Sequence, residues 1–281
     1  MNNYFCGWYF KCQSKQDVIS VIPAIHINNG KKSCSIQLIT SDQVWNVEFP
    51  YCSFRKKKKA FMIGENYFSA KGVSFHLYGE GIELVGKLKF GAFQKLGYDI
   101  MGPFRYIPYM ECRHKVFSMK HTVNGTLYLN GVEYHFENGL GYMEGDRGRS
   151  FPKKYLWTQC CLPTGSLMLS VADIPFGCCT FTGIIGVVDW KGKQYRFATY
   201  LGARVMKIKK GMVVIKQGNM VFTVRLLKKK EQPLYAPVHG EMNRTIHEST
   251  ACLVGYELKK RNQIVFSFEE EMASFEYEYP F

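Results

Sequence analysis

A chain of 281 residues, 46% hydrophobic and 21% charged, has the apolar mass for one large or two medium globular domains, and this composition excludes a disordered chain. With 37 basic against 23 acidic residues the net charge is +14, which suits an anionic partner surface. The most apolar region, residues 162–190, is interrupted by Pro163, Asp173, Pro175 and several glycines, which excludes a membrane-spanning helix there.

The chain reads as strand after strand. Gly7-Trp8-Tyr9-Phe10-Lys11 is a short aromatic strand, and residues 18–27 and 34–40 flank Asn29-Gly30, whose two residues tolerate positive φ and close a hairpin. Residues 44–49 alternate Trp45, Val47 and Phe49 with Asn46 and Glu48, and a basic loop follows at Arg55 to Lys59. Strands are expected at 61–68, 73–78 and 82–90, then an irregular stretch at 91–108 marked by Gly97, Gly102, Pro103 and Pro108. Residues 110–123 are extended, and Asn124-Gly125, Asn130-Gly131 and Asn138-Gly139 read as three successive turns of a meander. The second half repeats this rhythm from residue 155 to residue 268, with turns at Lys191-Gly192, Lys210-Gly211, Gly218-Asn219 and Arg261-Asn262. Only Asn243 to Thr250 reads as a short helix. The expected fold class is all-β with little helix, in two antiparallel domains, 1–140 and 141–281, whose common style points to a duplication.

The 10 cysteines include the adjacent pairs Cys160-Cys161 and Cys178-Cys179, which fit neither zinc-finger nor CxxC spacing. The start, Met1-Asn2-Asn3-Tyr4, lacks the basic and apolar regions of a secretory leader, so the thiols read as those of a reduced, cytoplasmic protein. Basic residues cluster at Arg55 to Lys59, Lys207 to Lys210 and Lys228 to Lys230. No nucleic-acid-reading motif accompanies them, which ranks an anionic membrane surface, met peripherally, above nucleic acid as a partner; solvated turns are the plain alternative.

Candidate chemistry concentrates in Gly141-Tyr142-Met143-Glu144-Gly145-Asp146-Arg147-Gly148 and its continuation to Pro152. Glu144 and Asp146 share one face if the segment is extended, and paired carboxylates in apolar company leave one of them protonated at neutral pH. The competing reading is a polar turn whose carboxylates face water or pair with Arg147 and Arg149, the glycines around Asp146 supplying the bend. On strict alternation Cys112, His114 and Ser118 share a face, while Glu111, Arg113 and His121 share the other. A Cys/His nucleophile pair there lacks an orienting third group, and His114 and His121 are on opposite faces, so no metal site is expected. Asp173 and Glu248 sit in irregular company and read as turn caps. P-loop, GxSxG and HExxH patterns are absent.

Several of these segments carry a resemblance. Gly7 to Lys11, Gly102-Pro103-Phe104, Met110-Glu111-Cys112 running into His114 and His121, the central run through Trp157 and Gln159, Tyr195 to Tyr200, and Ala236-Pro237 to Glu248-Ser249 are together similar to the tocopherol cyclase family. More remotely they resemble carotenoid hydratases and lipocalin-like Diels–Alderases. The resemblance implies two lipocalin-like β-barrel domains, with an apolar cavity near the central motif, which the C-terminal domain would carry at the domain interface. It implies an isomerase that needs no cofactor: a prenyl alkene is protonated and the oxygen of a quinol captures the cation. Glu144 would then be the proton donor and Asp146 would tune it. Tyr142, Trp157, Gln159, His114 and Asp173 would contact the substrate, a prenyl quinol or other isoprenoid lipid. Arg147 stands where the family usually has tryptophan, and an arginine beside the acids would hold them ionised. The alternative that the same resemblance leaves open is a non-catalytic carrier of a hydrophobic ligand.

Overall fold

The computed structural model describes residues 3–108, 110–176, 179–228, 232–238 and 241–280, and for residues 176, 232–235, 238 and 241–249 it describes the backbone alone. The described residues form two antiparallel sheets. The first contains β1 (Asn3–Gln13), β2 (Val18–Asn28), β3 (Lys31–Ile39), β4 (Val44–Pro50), β5 (Phe54–Lys57), β6 (Ala60–Ile63), β7 (Asn66–Ser69), β8 (Gly72–Gly79), β9 (Ile82–Phe90), β10 (Cys112–Leu129) and β11 (Val132–Gly148). The second contains β12 (Tyr155–Leu162), β13 (Gly165–Phe176), β14 (Cys179–Trp190), β15 (Lys193–Ala198), β16 (Arg204–Lys209), β17 (Met212–Gln217), β18 (Met220–Lys228), β19 (Gln232–Val238), β20 (Glu241–Lys260) and β21 (Gln263–Tyr277).

Their strand orders are β4-β3-β2-β1-β11-β10-β9-β8-β7-β6-β5 and β15-β14-β13-β12-β21-β20-β18-β17-β16, with β19 beside β20. Both sheets follow one path. A four-strand meander is joined through its first strand to the last strand of the set, as a duplicated unit would be. The all-β expectation therefore holds, as two curled, lipocalin-like antiparallel sheets, each around its own core. In the first, Trp45, Val47 and Phe49 from β4 pack with Phe61, Ile63, Phe68 and Phe75 from the far end of the sheet. Stacked rings such as Phe61 and Phe68, 5.0 Å apart, fill that interior. In the second, Leu156, Leu167, Phe197, Phe222, Tyr256 and Phe266 form the core.

The units divide the chain differently from the expected 140/141 boundary. One comprises Met1–Asp99, Tyr109–Phe151 and Tyr235–Arg244; the other comprises Ile100–Pro108, Pro152–Leu234 and Thr245–Phe281. The reason is β11, which runs unbroken from Val132 to Gly148 and pairs with β1 from Leu140 to Gly148, placing the central motif in the first unit.

Three local readings are corrected. Residues 243–250 are strand, part of β20, not helix. Of the three Asn-Gly dipeptides only Asn130-Gly131 is a hairpin turn, with φ of 50° and 81°. Asn124-Gly125 and Asn138-Gly139 lie inside β10 and β11, where a register shift follows Val123 and the Asn124 side chain accepts the Asn138 N–H at 2.8 Å. A bulge uses the same positive-φ chemistry as a turn, so the dipeptide alone does not separate them. Further shifts on either side of Ser118 break the alternation of β10. They bring Ser118 and His121 together, Oγ to Nδ1 at 3.0 Å, although strict parity separates them.

Buried His121 packs against Phe90 and Phe93, with ring centroids 4.7 and 4.6 Å away. The Ser118 hydroxyl donates to the Lys120 carbonyl, so its oxygen accepts the proton on His121 Nδ1. Burial pushes both His121 and His26 down from 6.5 to about 4. The unfolded chain then binds more protons between pH 4 and 6.5, so stability falls on acidification through that window, by about 3 kcal/mol for each histidine. Urea unfolding followed from pH 7 to pH 4.5 should show this loss, and His121→Gln should remove about half of it. An unchanged slope in that variant would refute the assignment.

Candidate active site

The central motif lies within one continuous strand in unbroken register with β1, and its glycines serve close approach instead of a turn. A Cβ on Gly148 would stand 1.9 Å from the Glu111 carbonyl oxygen, and one on Gly145 would stand 2.8 Å from that of Gly7. Along β11, Met143 faces the aromatic core while Tyr142, Glu144 and Asp146 face the other way, as period-two alternation requires. The acids therefore point away from the filled interior of their sheet, not into it.

Register then selects their neighbours. Asp146 is paired with His114 on β10, Glu144 with Tyr9 on β1 and Val116 on β10, and Tyr142 with Lys11 on β1. His114 lies between the two acids: Nε2 is 3.1 Å from Glu144 Oε2, and Nδ1 is 3.0 Å from Asp146 Oδ1. The side chains are 11%, 6% and 21% exposed for His114, Glu144 and Asp146, so water screens these charges little. The Tyr142 hydroxyl donates to the same Glu144 Oε2, and the Cys112 thiol donates to Asp146 Oδ1 at 3.3 Å.

These contacts set the protonation pattern. Burial opposes a charge on His114, but the Glu144 and Asp146 carboxylates on its two nitrogens outweigh that cost and hold its pKa well above 6.5. With a carboxylate on each nitrogen, the ring is an imidazolium at neutral pH. Burial and the neighbouring Asp146 push the Cys112 thiol well above its ordinary value. Cys112 is therefore an S–H donor to Asp146 and no nucleophile, which closes the Cys/His reading.

Arg147 is exposed and lies across from Cys6 and Arg113, on the opposite side of the strand from the acids. The cation beside the acids is His114, which replaces both the expected Arg147 effect and the reading of a solvated turn. His114, Glu144 and Asp146 also bring ligand atoms within 4.8 Å of one another, a spacing that could accept a metal ion. A cation there would have to displace a proton from His114, so proton and metal compete for one nitrogen.

The structure thus brings together Tyr142, Glu144, Asp146 and His114. Two residues on the same face were not anticipated from sequence: Tyr9, whose hydroxyl lies 2.9 Å from Ser20 Oγ, and Lys11, only 1% exposed. Their signal is alternation within Gly7 to Lys11, which sets Tyr9 and Lys11 on one side. The other expected residues belong to the second unit. Trp157 and Gln159 are buried on β12, where Gln159 donates to Cys161 Sγ at 3.2 Å and its Oε1 has no partner among the described residues. Asp173 lies on β13 and caps no turn; its Oδ1 accepts from the Thr182 and Tyr279 hydroxyls at 3.1 and 3.2 Å. The side chain of Glu248 lies outside the described residues. Two further resemblance segments meet within the second unit: the Phe104 ring stands edge-on to Tyr200 at 5.6 Å, beside Gly102 at φ +52°.

A two-unit, all-β protein with a buried carboxylate–imidazolium–carboxylate array is the class that fold and site define. The sequence pattern of the tocopherol cyclase-like family matches residues 82–277, and the chain belongs to that family. No curated protein sequence matches the chain. Among solved structures it is similar to CghA in complex with Sch210972, at 10% identity and a TM-score of 0.60, covering 99% of this chain and 89% of that one. It is also similar to kievitone hydratase from Nectria haematococca, at 9% identity and a TM-score of 0.55, covering 98% and 89%. At such identities the likeness establishes the fold alone.

Proposed function

We propose that this protein is an acid–base catalyst of the cyclase or hydratase type, adding an O–H group across an isoprenoid double bond, with a prenylated quinol as the leading substrate class. The observation that carries the proposal is the buried proton store formed by His114 between Glu144 and Asp146. Family membership and the hydratase among its structural neighbours agree with it.

Protonating an alkene demands a strong acid, and an imidazolium with a raised pKa is a weak one. The array resolves this conflict by separating storage from delivery. His114 stores the proton, and its transfer across 3.1 Å to Glu144 Oε2 creates a carboxylic acid, the stronger acid of the pair. Glu144 gives that proton to one alkene carbon, and the π electrons leave a cation on the other. The cluster carries net negative charge, and the rings of Tyr9 and Tyr142 share its face, so both favour a cation. A hydroxyl of the substrate, or water, bonds to the cation, and its proton returns through Glu144 to His114. One O–H and one C=C are consumed and one C–H and one C–O are formed. No electrons are exchanged, so the balance requires no redox cofactor.

The test is incubation of the purified protein with prenylated quinols and chiral analysis of the products. A single enantiomer of a chromanol or hydrated product supports the reading; no product above a boiled control refutes it. Native mass spectrometry that finds a retained, unmodified lipid alongside absent turnover would assign a carrier role instead. Tyr142→Phe keeps the ring but removes one hydrogen bond to a charged acceptor, which should lower kcat roughly 10- to 100-fold with little change in KM.

A further inference from the structure

The fold presents a second feature that acid–base chemistry does not use. In the second sheet, β16, β17 and β18 turn Val205, Ile208, Val213, Ile215, Phe222 and Val224 inward to the core. The register places Arg204 opposite Lys216, Lys207 opposite Val214, and Lys209 opposite Met212, which in turn faces Arg225. Arg204, Lys207, Lys209, Lys216 and Arg225 are all exposed and share the outer face. Among the described residues none of these five has a carboxylate within ion-pair distance. The face continues onto β20 and β21, where Lys259 is already paired with Glu257 at 2.9 Å and Glu269 and Glu271 are the exposed carboxylates of β21, beyond β20 from the five cations.

Two ordinary explanations fail. Lysines on an edge strand discourage unwanted strand pairing, and β16 is the edge of its sheet. That accounts for Lys207 and Lys209 but not for Lys216 and Arg225, which stand on interior strands. Fold stability fails as well, because like charges directly opposed, as Arg204 and Lys216 are, are destabilising. Three large apolar side chains are exposed in the same region: Met206 at 61%, Leu227 at 42% and Ile264 at 61%. Met206 is the extra residue at the β16 bulge, and Leu227 lies over Gly255 on the outer face. Scattered cations with apolar side chains between them match a lipid surface, where the charges meet headgroups and the apolar groups enter the boundary region. A single-stranded nucleic acid would use aromatic stacking platforms, and among the described residues this face has none, while a duplex would make no use of the exposed apolar side chains.

We propose that the outer face of β16–β18, extended by Ile264, docks on an anionic lipid bilayer. This reading is independent of the catalytic one. The test is flotation of the full chain with neutral phosphatidylcholine vesicles and with vesicles containing phosphatidylserine, at low and high salt. The wild-type chain is expected to float with the anionic vesicles only, and less so at high salt. Replacing Arg204, Lys216 and Arg225 together by Gln should weaken binding about 100-fold, at about 1 kcal/mol per basic residue. Replacing Arg55, Lys57 and Lys59 on and beside the first sheet's edge strand should change it little. Met206→Ser with Ile264→Ser should weaken the part of binding that survives high salt. Thermal melts establish that each variant is folded. Equal binding to neutral vesicles, equal loss in the first-sheet variant, no anionic binding by the wild-type chain, or tighter binding of duplex or single-stranded nucleic acid than of vesicles would each overturn the proposal.

Discussion

His114→Phe is expected to destabilise the protein by about 3–5 kcal/mol at pH 7, the range found when one partner of a buried ion pair is removed. The cost arises from what stays behind. Glu144 and Asp146 lose the imidazolium that each meets at about 3 Å, and two largely buried carboxylates are left facing the same space. Lost burial contributes little, because phenylalanine replaces imidazole with a ring of similar size. The pH dependence separates this account from simple misfit. Two carboxylates without an intervening cation repel, which raises the pKa of one above its unfolded value. The sign follows: the variant's deficit is smallest below the carboxylate range and grows as pH rises from the unfolded carboxylate pKa to the raised one. Above pH 6.5 the wild type begins to lose the opposite contribution that its own raised His114 supplies. His26 and His121 penalise acid in both proteins, so they cancel in the difference. Urea midpoints for wild type and variant at pH 4.5 and 6, where the His114 contribution is still complete, measure it. A pH-independent difference would mean a packing defect, and His114→Phe combined with Glu144→Gln should recover part of the loss.

How much of this was legible in the chain depends on distance along it. Alternation is local, so the strands, the hairpin at Asn29-Gly30 and the common face of Glu144 and Asp146 could be read directly. Register is not local. The partner of Asp146 is 32 residues away on β10, and nothing in the spacing of either strand names it. Hence His114 stood out as a residue type in the resemblance segments but not as the cation between the acids, while Arg147, adjacent in sequence, was given that influence wrongly. Adjacent residues on a strand point to opposite sides, and this rule moves Arg147 away from both acids once the motif is a strand and not a turn. Bulges are the other limit. The irregularities around Ser118 re-aim His121 towards it, and no composition cue marks them. Lys11 was hidden differently, because a lysine in an aromatic strand reads as its solvent-facing side, and only the fold reveals that this side is buried.

Glu144→Gln should leave the fold largely intact and lower kcat by roughly 10²- to 10⁴-fold, the span of a positioned general acid. Gln is nearly isosteric, and its amide oxygen can still accept from the Tyr142 hydroxyl in place of Oε2 while staying about as close to His114. What it cannot do is carry an acidic proton, so the store on His114 loses its outlet. The comparison with Asp146→Asn makes the prediction specific. Asp146 contacts His114 Nδ1, on the far side of the ring from Glu144, and Cys112 rather than Tyr142. Its loss should shift the pH profile by weakening the hold on the stored proton, and should lower the limiting rate less than Glu144→Gln does. If storage and delivery are divided as proposed, the Asp146→Asn profile moves to lower pH, since one of the two charges that raise His114 is gone. A fall in rate that is equal for both variants, with no displacement of the profile, would show that the two carboxylates act alike, as structural partners of an inert imidazolium. Turnover by Glu144→Gln at the wild-type rate would remove Glu144 from the reaction altogether.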